Sequence, residues 1–499
     1  MDGRYHPNYE EFASLANQGN LIPVYREILA DLETPVSALS KLDRGDSAFL
    51  LESVEGGEIL GRNSFLGVDP RLIVTVKNDT ITTIEGQQVR SHPLGGSDPL
   101  LELEKIMSPY KAVDILNLPP FTGGLVGYLG YDMVNYFEKL PMMENDSLDA
   151  PDALFFLVDT LLLFEHASHT IKIVANAYIQ DSVKDAYKEA QARIDATIGA
   201  LQRPHSMLRF GSGRKPPIDF QSNRTKEDYC KAVEKCKEYI AAGDIFQVVI
   251  SQRRELEIES PPFDIYRSLR TINPSPYMFY LKHKDLHIAG SSPELLVKKV
   301  GRNVRYRPIA GTRPRGRNTT EDNALEWELL NDPKECAEHI MLVDLGRNDI
   351  GRVCKYHTVK ANELMVIERY SHVMHIVSDI TGELKDDKSA FDLLRACFPA
   401  GTLTGAPKIR AMEIIAEQEP TKRGPYGGAI GYIGFSGNMD TGIIIRTVTI
   451  KNQKAMIQAG AGIVADSDPE KEYQECCNKS QGMLGAIELA ETYQRPLKQ

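Results

Sequence analysis

The chain has 499 residues, 42% hydrophobic and 25% charged, with a formal net charge of −11; it is longer than one ordinary domain and has the composition of a globular protein with a sizeable core. The acidic balance argues against a nucleic-acid partner, which needs a basic face, and no apolar run reaches the roughly 18 residues of a membrane-spanning helix. The start, Met1-Asp2-Gly3-Arg4-Tyr5-His6, lacks the cationic and apolar regions of a secretory signal, and the seven cysteines are odd in number without framework spacing, so reduced thiols in a cytoplasmic protein are expected.

In chain order, residues 1–205 read mainly as strands: 47–52, 71–76, 154–165 and 170–175 are β-prone apolar runs between turn residues. A helix is expected over 181–201. The stretch Arg203 to Pro217 is polar and rich in Gly and Pro, which sets a linker at 206–217 between an N-terminal domain (1–205) and a C-terminal one (218–499). Thr225 then caps a helix with Asp228 at its third position, an apolar stripe of Tyr229, Val233, Cys236 and Ile240, and Gly243 as its stop. A strand follows over 246–253. Asp332-Pro333-Lys334-Glu335 opens a further helix with a cap, a proline in the first helical position and a glutamate in the third, and Asp468-Pro469 opens another in the same way. Strands and helices mix without strict alternation. The fold class expected is α+β, with large antiparallel sheets in a sandwich-like core flanked by helices.

One segment echoes another. Gly123-Gly124-Leu125-Val126-Gly127-Tyr128-Leu129-Gly130-Tyr131 matches Gly427-Gly428-Ala429-Ile430-Gly431-Tyr432-Ile433-Gly434-Phe435 at five of nine positions. No strand-to-helix context makes either a nucleotide loop. Both read as glycine-rich core strands, equivalent pieces of sheet from the two halves.

Chemistry concentrates in the C-terminal half. Glu335 and Glu338 share one helix face, as do Glu472 and Glu475, with Lys479 four residues on. Acidic residues in first turns ordinarily complement the helix dipole on a solvated face; four carboxylates on two helices also suit a hard cation such as Mg²⁺. Gln458-Ala459-Gly460-Ala461-Gly462 reads as a low-bulk turn able to offer backbone N–H groups to an anion. Arg446 sits in an apolar strand, Ile443 to Thr447, and needs either a structural salt bridge or a substrate carboxylate. His375 reads by default as a core histidine. Glu294 reads as a turn carboxylate that becomes a general acid if burial raises its pKa.

Three strings are long and specific: Phe398-Pro399-Ala400-Gly401-Thr402-Leu403-Thr404-Gly405-Ala406-Pro407-Lys408, the stretch from Ala337 to Asp349, and Arg307-Pro308-Ile309-Ala310-Gly311-Thr312-Arg313. Together they closely resemble the chorismate-binding enzymes, which include anthranilate, aminodeoxychorismate, isochorismate and salicylate synthases. The resemblance is dense over 218–490 and extends through Leu50-Leu51-Glu52-Ser53 and 123–131. It implies Glu338 and Glu475 as Mg²⁺ ligands, with Glu335 and Glu472 behind them. It implies that Gly460, Ala461 and Gly462 amides and Lys479 hold a carboxylate, that Tyr426 and Arg446 grip the enolpyruvyl group of chorismate, and that Gly311 and Thr312 line the ring pocket. Glu294, His375 and Thr402 would lie near the C4 hydroxyl and help it leave.

Two positions sort the family. Members that form a covalent adduct carry a lysine where this chain has Ala310; members that activate water carry one where it has Gln247. Alanine forms no adduct, and an amide is no general base. A ready nucleophile such as ammonia is then implied, which points to the anthranilate synthase branch. Aminodeoxychorismate synthase is the nearer alternative, and a catalytically silent amino-acid sensor the more distant one. None of the seven cysteines lies in the glycine-flanked turn of an amidotransferase nucleophile, so a separate glutamine amidotransferase subunit is implied as partner. The resemblance also makes Ser53, Pro276, Tyr277 and Met278 contacts for L-tryptophan as inhibitor.

Overall fold

The computed structural model describes residues 4–53, 63–141, 143, 145–146, 148–204, 209–210, 219–370 and 373–494. The expected linker at 206–217 lies outside the described residues except for 209–210.

The helix starts follow from local chemistry. Thr225 Oγ1 accepts from Asp228 N at 3.1 Å and opens the helix Lys226–Ala241; Gly243, at φ +85°, supplies the left-handed turn beyond its end. Asp332 and Asp468 each accept from two first-turn amides and open Pro333–Gly351 and Pro469–Glu491. Proline in the first helical position costs no hydrogen bond there.

Among the described residues the strands make two 12-stranded sheets and a two-stranded ribbon, packed face to face. Phe49, Leu163, Phe279 and Ile288 of one sheet meet Val126, Tyr128, Phe156 and Ile430 of the other in the buried layer between them. Each sheet is continuous across the division at 205–218. In the first, Ser47–Glu52 pairs with Tyr277–His283, placing Glu52 opposite Met278. In the second, the two echoing segments are neighbours: Gly124–Leu129 runs antiparallel to Ala429–Gly434 with Gly127 opposite Gly431. Glycine is required at this seam, because a Cβ on Gly127 would stand 2.0 Å from the Leu154 carbonyl oxygen.

Several strands pass from one sheet to the other with only one to three residues between them. The expected run 154–165 is in fact two strands, Ala153–Val158 and Thr160–Glu165, one in each sheet with Asp159 at the crossing. The same happens at Pro293-Glu294, between Leu286–Ser292 and Leu295–Val300, and at Ile444–Arg446, between Met439–Ile443 and Thr447–Lys451. Arg446 therefore lies at a crossing and not inside a strand, with φ at +49°. These two crossings lie side by side: Ile443 N donates to Glu294 O at 3.0 Å and Ser291 N to Arg446 O at 3.2 Å. A second correction concerns 458–462, which is no turn. It belongs to the strand Lys454–Ile463, paired along its length with Gln247–Glu257. No helix of the described residues is long and apolar enough to cross a membrane.

Candidate active site

The neighbouring crossings open onto a cavity of about 540 Å³ lined by Gln247, Glu294, Ala310, Gly311, Thr312, Glu335, Glu338, His375, Thr402, Tyr426, Arg446, Gly460, Gly462, Glu472, Glu475 and Lys479, among others. All the residues expected to bind the substrate or act on it are here except one. Ala461 is fully buried and does not line the cavity. Side chains alternate along a strand, so Gly460 and Gly462 face one way and Ala461 the other. The same alternation governs the amides. Ser251, opposite Gly460, donates its N–H to Glu419, and the Gly460 carbonyl accepts from Lys479 at 3.2 Å. Gly460 and Gly462 thus turn their backbone groups away from the Gln247–Glu257 strand, while Ala461 pairs into it.

Both glycines make room for a functional side chain. A Cβ at 462 would lie 2.5 Å from Gln247 Nε2 and 3.8 Å from Glu338 Oε1; one at 460 would lie 3.1 Å from the Tyr426 hydroxyl. The two glycines are about 7 Å apart along the strand, so the carboxylates near Glu338 and the phenol of Tyr426 occupy separate subsites.

The four glutamates come from the first two turns of Pro333–Gly351 and Pro469–Glu491. Glu338 accepts from Gln247 Nε2 at 2.7 Å, Glu475 pairs with Lys479 at 2.7 Å, and Glu335 with Arg313 at 3.4 Å. Burial raises the pKa of Glu338 and of Glu472 above the usual carboxylate range. Among the described residues no three acidic, histidine or cysteine groups converge as a ready-made metal site. Even so, four carboxylates facing one cavity, two of them poorly solvated, are an all-oxygen donor set that a hard divalent cation would relieve.

Glu294 is buried, which pushes its pKa up to about 7; the Thr402 hydroxyl and the Lys479 and Arg446 charges work against that rise. The Thr402 hydroxyl approaches without closing a hydrogen bond to any described group. Glu294 is thus a carboxylic acid able to hold a proton near neutrality. Burial lowers the pKa of His375. Its Nδ1 lies 3.0 Å from both the Gly311 carbonyl oxygen and the Thr312 hydroxyl; the hydroxyl can donate or accept, but the carbonyl only accepts, which favours the tautomer with the proton on Nδ1 and leaves Nε2 of the neutral ring as an acceptor. Arg446 forms no ion pair among the described residues, and its left-handed backbone is a strained arrangement for a non-glycine residue. Its guanidinium lines the cavity and suits an anionic substrate group. Lys334 was not foreseen. It lines the cavity and favours the ionised forms of Glu338 and Glu472; a cation in a helix's first turn, against the dipole, is the signal that marks it.

A second cavity, of about 200 Å³, lies at the seam of the first sheet and is lined by Glu52, Ser53, Phe65, Pro276, Tyr277, Met278, Tyr432 and Asp440, among others. It brings Ser53, Pro276, Tyr277 and Met278 together. Arg270 holds both oxygens of Glu52, at 3.1 and 3.2 Å, and Tyr277 donates to Asp440 at 2.9 Å.

The chain that builds this site matches, over residues 46–485, the family described as chorismate binding enzyme. The chain belongs to the chorismate-binding enzymes. Within that family it is 49% identical to anthranilate synthase component 1 of Acetivibrio thermocellus, over 97% of this chain and 99% of the relative. It is 48% identical to anthranilate synthase component 1 of Synechocystis sp., over 96% and 99%. The solved anthranilate synthase component I of Streptococcus pneumoniae, 37% identical, superposes with a TM-score of 0.77 over 92% of this chain and 99% of that one.

Proposed function

We propose that this chain is the chorismate-aminating component of an anthranilate synthase. Ammonia adds to C2 of chorismate, the C4 hydroxyl leaves as water, and loss of the C2 proton expels pyruvate and leaves anthranilate. The observation that carries the reading is that Gln247 and Ala310, which replace the two lysines of other members, both face the cavity that holds Glu294, Arg446 and the four glutamates. With neither lysine at these two positions, the site lacks the groups by which other members activate water or form an adduct, and it suits a nucleophile that needs no activation. Aminodeoxychorismate synthesis is disfavoured by Ala310 on the same ground.

Glu294 donates its proton to the departing hydroxyl, and His375 Nε2 accepts from the substrate nearby. Arg446 and the Tyr426 phenol hold the enolpyruvyl group, with the Gly460 and Gly462 amides and Lys479 placed for a carboxylate. Glu338 and Glu475, with Glu335 and Glu472 behind them, would hold Mg²⁺, which supplies charge neutralisation of the ring carboxylate. Burial raises the pKa of Cys230, Cys236, Cys354, Cys397 and Cys476, the reverse of a catalytic thiolate. A partner glutamine amidotransferase then supplies ammonia, and the enzyme works in the cytoplasm. The cavity at the seam, walled by Phe65, Met278 and Tyr432 and edged by carboxylates, takes L-tryptophan as feedback inhibitor. The isolated chain should form anthranilate from chorismate with ammonium salts and not with glutamine. Glutamine-dependent turnover by the lone polypeptide would overturn the partner assignment.

A further inference from the structure

Beneath the cavity lies a buried ion pair that is not part of its lining. Arg423 and Glu419 have side chains 0% and 2% exposed. Arg423 Nε donates to Glu419 Oε2 at 2.9 Å and Nη2 to Glu419 Oε1 at 2.7 Å. The same guanidinium reaches two backbone carbonyls, Leu403 through Nη1 at 2.7 Å and Val249 through Nη2 at 2.8 Å. Its plane lies over the rings of Tyr131, 4.6 Å from the centroid, and Tyr426, at 5.5 Å. Glu419 Oε1 also accepts from Ser251 N and Oγ, both at 2.8 Å, and Ser251 Oγ accepts from Gln458 Nε2 at 2.8 Å.

The groups reached by this network belong to different walls of the active site. Val249 is two residues from Gln247 on the strand that pairs with Gly460 and Gly462. Leu403 follows Thr402. Tyr426 is three residues beyond Arg423, and Gln458 lines the cavity two residues before Gly460. An arginine fork makes several directed bonds at once, where a lysine makes a point contact. We infer that Glu419 and Arg423 are positioning residues: one buried fork sets Thr402, Tyr426 and the Gln247 strand in mutual register for the reaction. This rests on the chorismate amination proposed above.

A purely structural pair and a positioning pair separate in a double replacement. Exchanging both partners of a buried pair for apolar residues of similar volume often leaves stability intact, whereas removing one leaves a buried charge. Glu419→Leu/Arg423→Met should therefore fold, with a melting temperature lowered by the Ser251, Val249 and Leu403 backbone groups that lose their partners and not by a stranded charge. Its kcat with ammonium should fall about 10- to 100-fold, while its KM for chorismate moves far less, since Arg446 and the glutamates remain in place. Arg423→Lys keeps the charge without the fork, so it should melt near the parent and lose kcat similarly; it decides the matter if the double variant fails to fold. A folded variant of either kind that keeps parental kcat would overturn the inference. A parent chain that consumes no chorismate would overturn the functional reading instead.

Discussion

Replacing Glu294 by glutamine should make the chain more stable and nearly inactive, and both effects should depend on pH. Burial raises the pKa of this carboxyl from 4.5 to about 7, a difference that corresponds to about 3 kcal/mol at 1.36 kcal/mol per unit. Between those values the folded chain keeps a proton that the unfolded chain has released. Stability therefore falls as pH rises through that window, and the whole penalty stands above pH 7. Glutamine never ionises and escapes it. At about 2.1 cal/mol/K per residue and 499 residues, 3 kcal/mol is a rise in Tm of about 3 °C at pH 8.5, shrinking as the pH drops towards 4.5. Loss of the acid should lower kcat by about 10²- to 10⁴-fold, and the parent's decline in rate above neutral pH should disappear from the residual activity. Scanning calorimetry and ammonium-dependent rates across pH 5 to 9 measure both. A Glu294→Gln variant whose Tm gap does not change with pH, or whose rate keeps the parental decline, would refute the argument.

Removal of divalent metal with EDTA should abolish turnover and Mg²⁺ should restore it, whereas Glu338→Gln should stay inactive at any practical Mg²⁺ concentration; full activity in excess chelator would remove the metal from the account. Gly462→Ala sets a Cβ 2.5 Å from Gln247 Nε2 and should disturb the amide that orients Glu338, raising the Mg²⁺ requirement about 10- to 100-fold in a metal titration of the rate. Ser53→Arg and Met278→Thr, which alter the seam cavity and not the catalytic one, should relieve tryptophan inhibition while leaving the uninhibited kcat close to the parent. Unchanged inhibition curves would place the effector elsewhere.

Local chemistry was legible in the sequence, and long-range geometry was not. Caps and first-position prolines announce the helices that carry the four glutamates, because those signals lie within one turn of the residues they fix. The glycine echo announces two strands, and the structure makes them partners. The run 154–165 hides its crossing because a strand leaving one sheet for another keeps the same β-prone composition. Residues 458–462 look like a turn because they are small. They are small for a tertiary reason: Gln247 and Tyr426 occupy the space that side chains there would fill. Spacing places Glu294 and Arg446 in a turn and a strand, with nothing to show that two adjacent crossings bring them together. Arg423 and Glu419, four residues apart, have the spacing of an ordinary surface pair; only the packed sheets make them a buried fork. Gln247 and Ala310 carry meaning only by comparison with relatives, since what matters is the lysine each one replaces.

The most direct test of the whole account is the product formed by the purified chain from chorismate, ammonium and Mg²⁺. The account predicts anthranilate, the ortho-aminated and fluorescent isomer, together with an equal amount of pyruvate. A para-aminated product, a hydroxylated one, or unconsumed chorismate would contradict it.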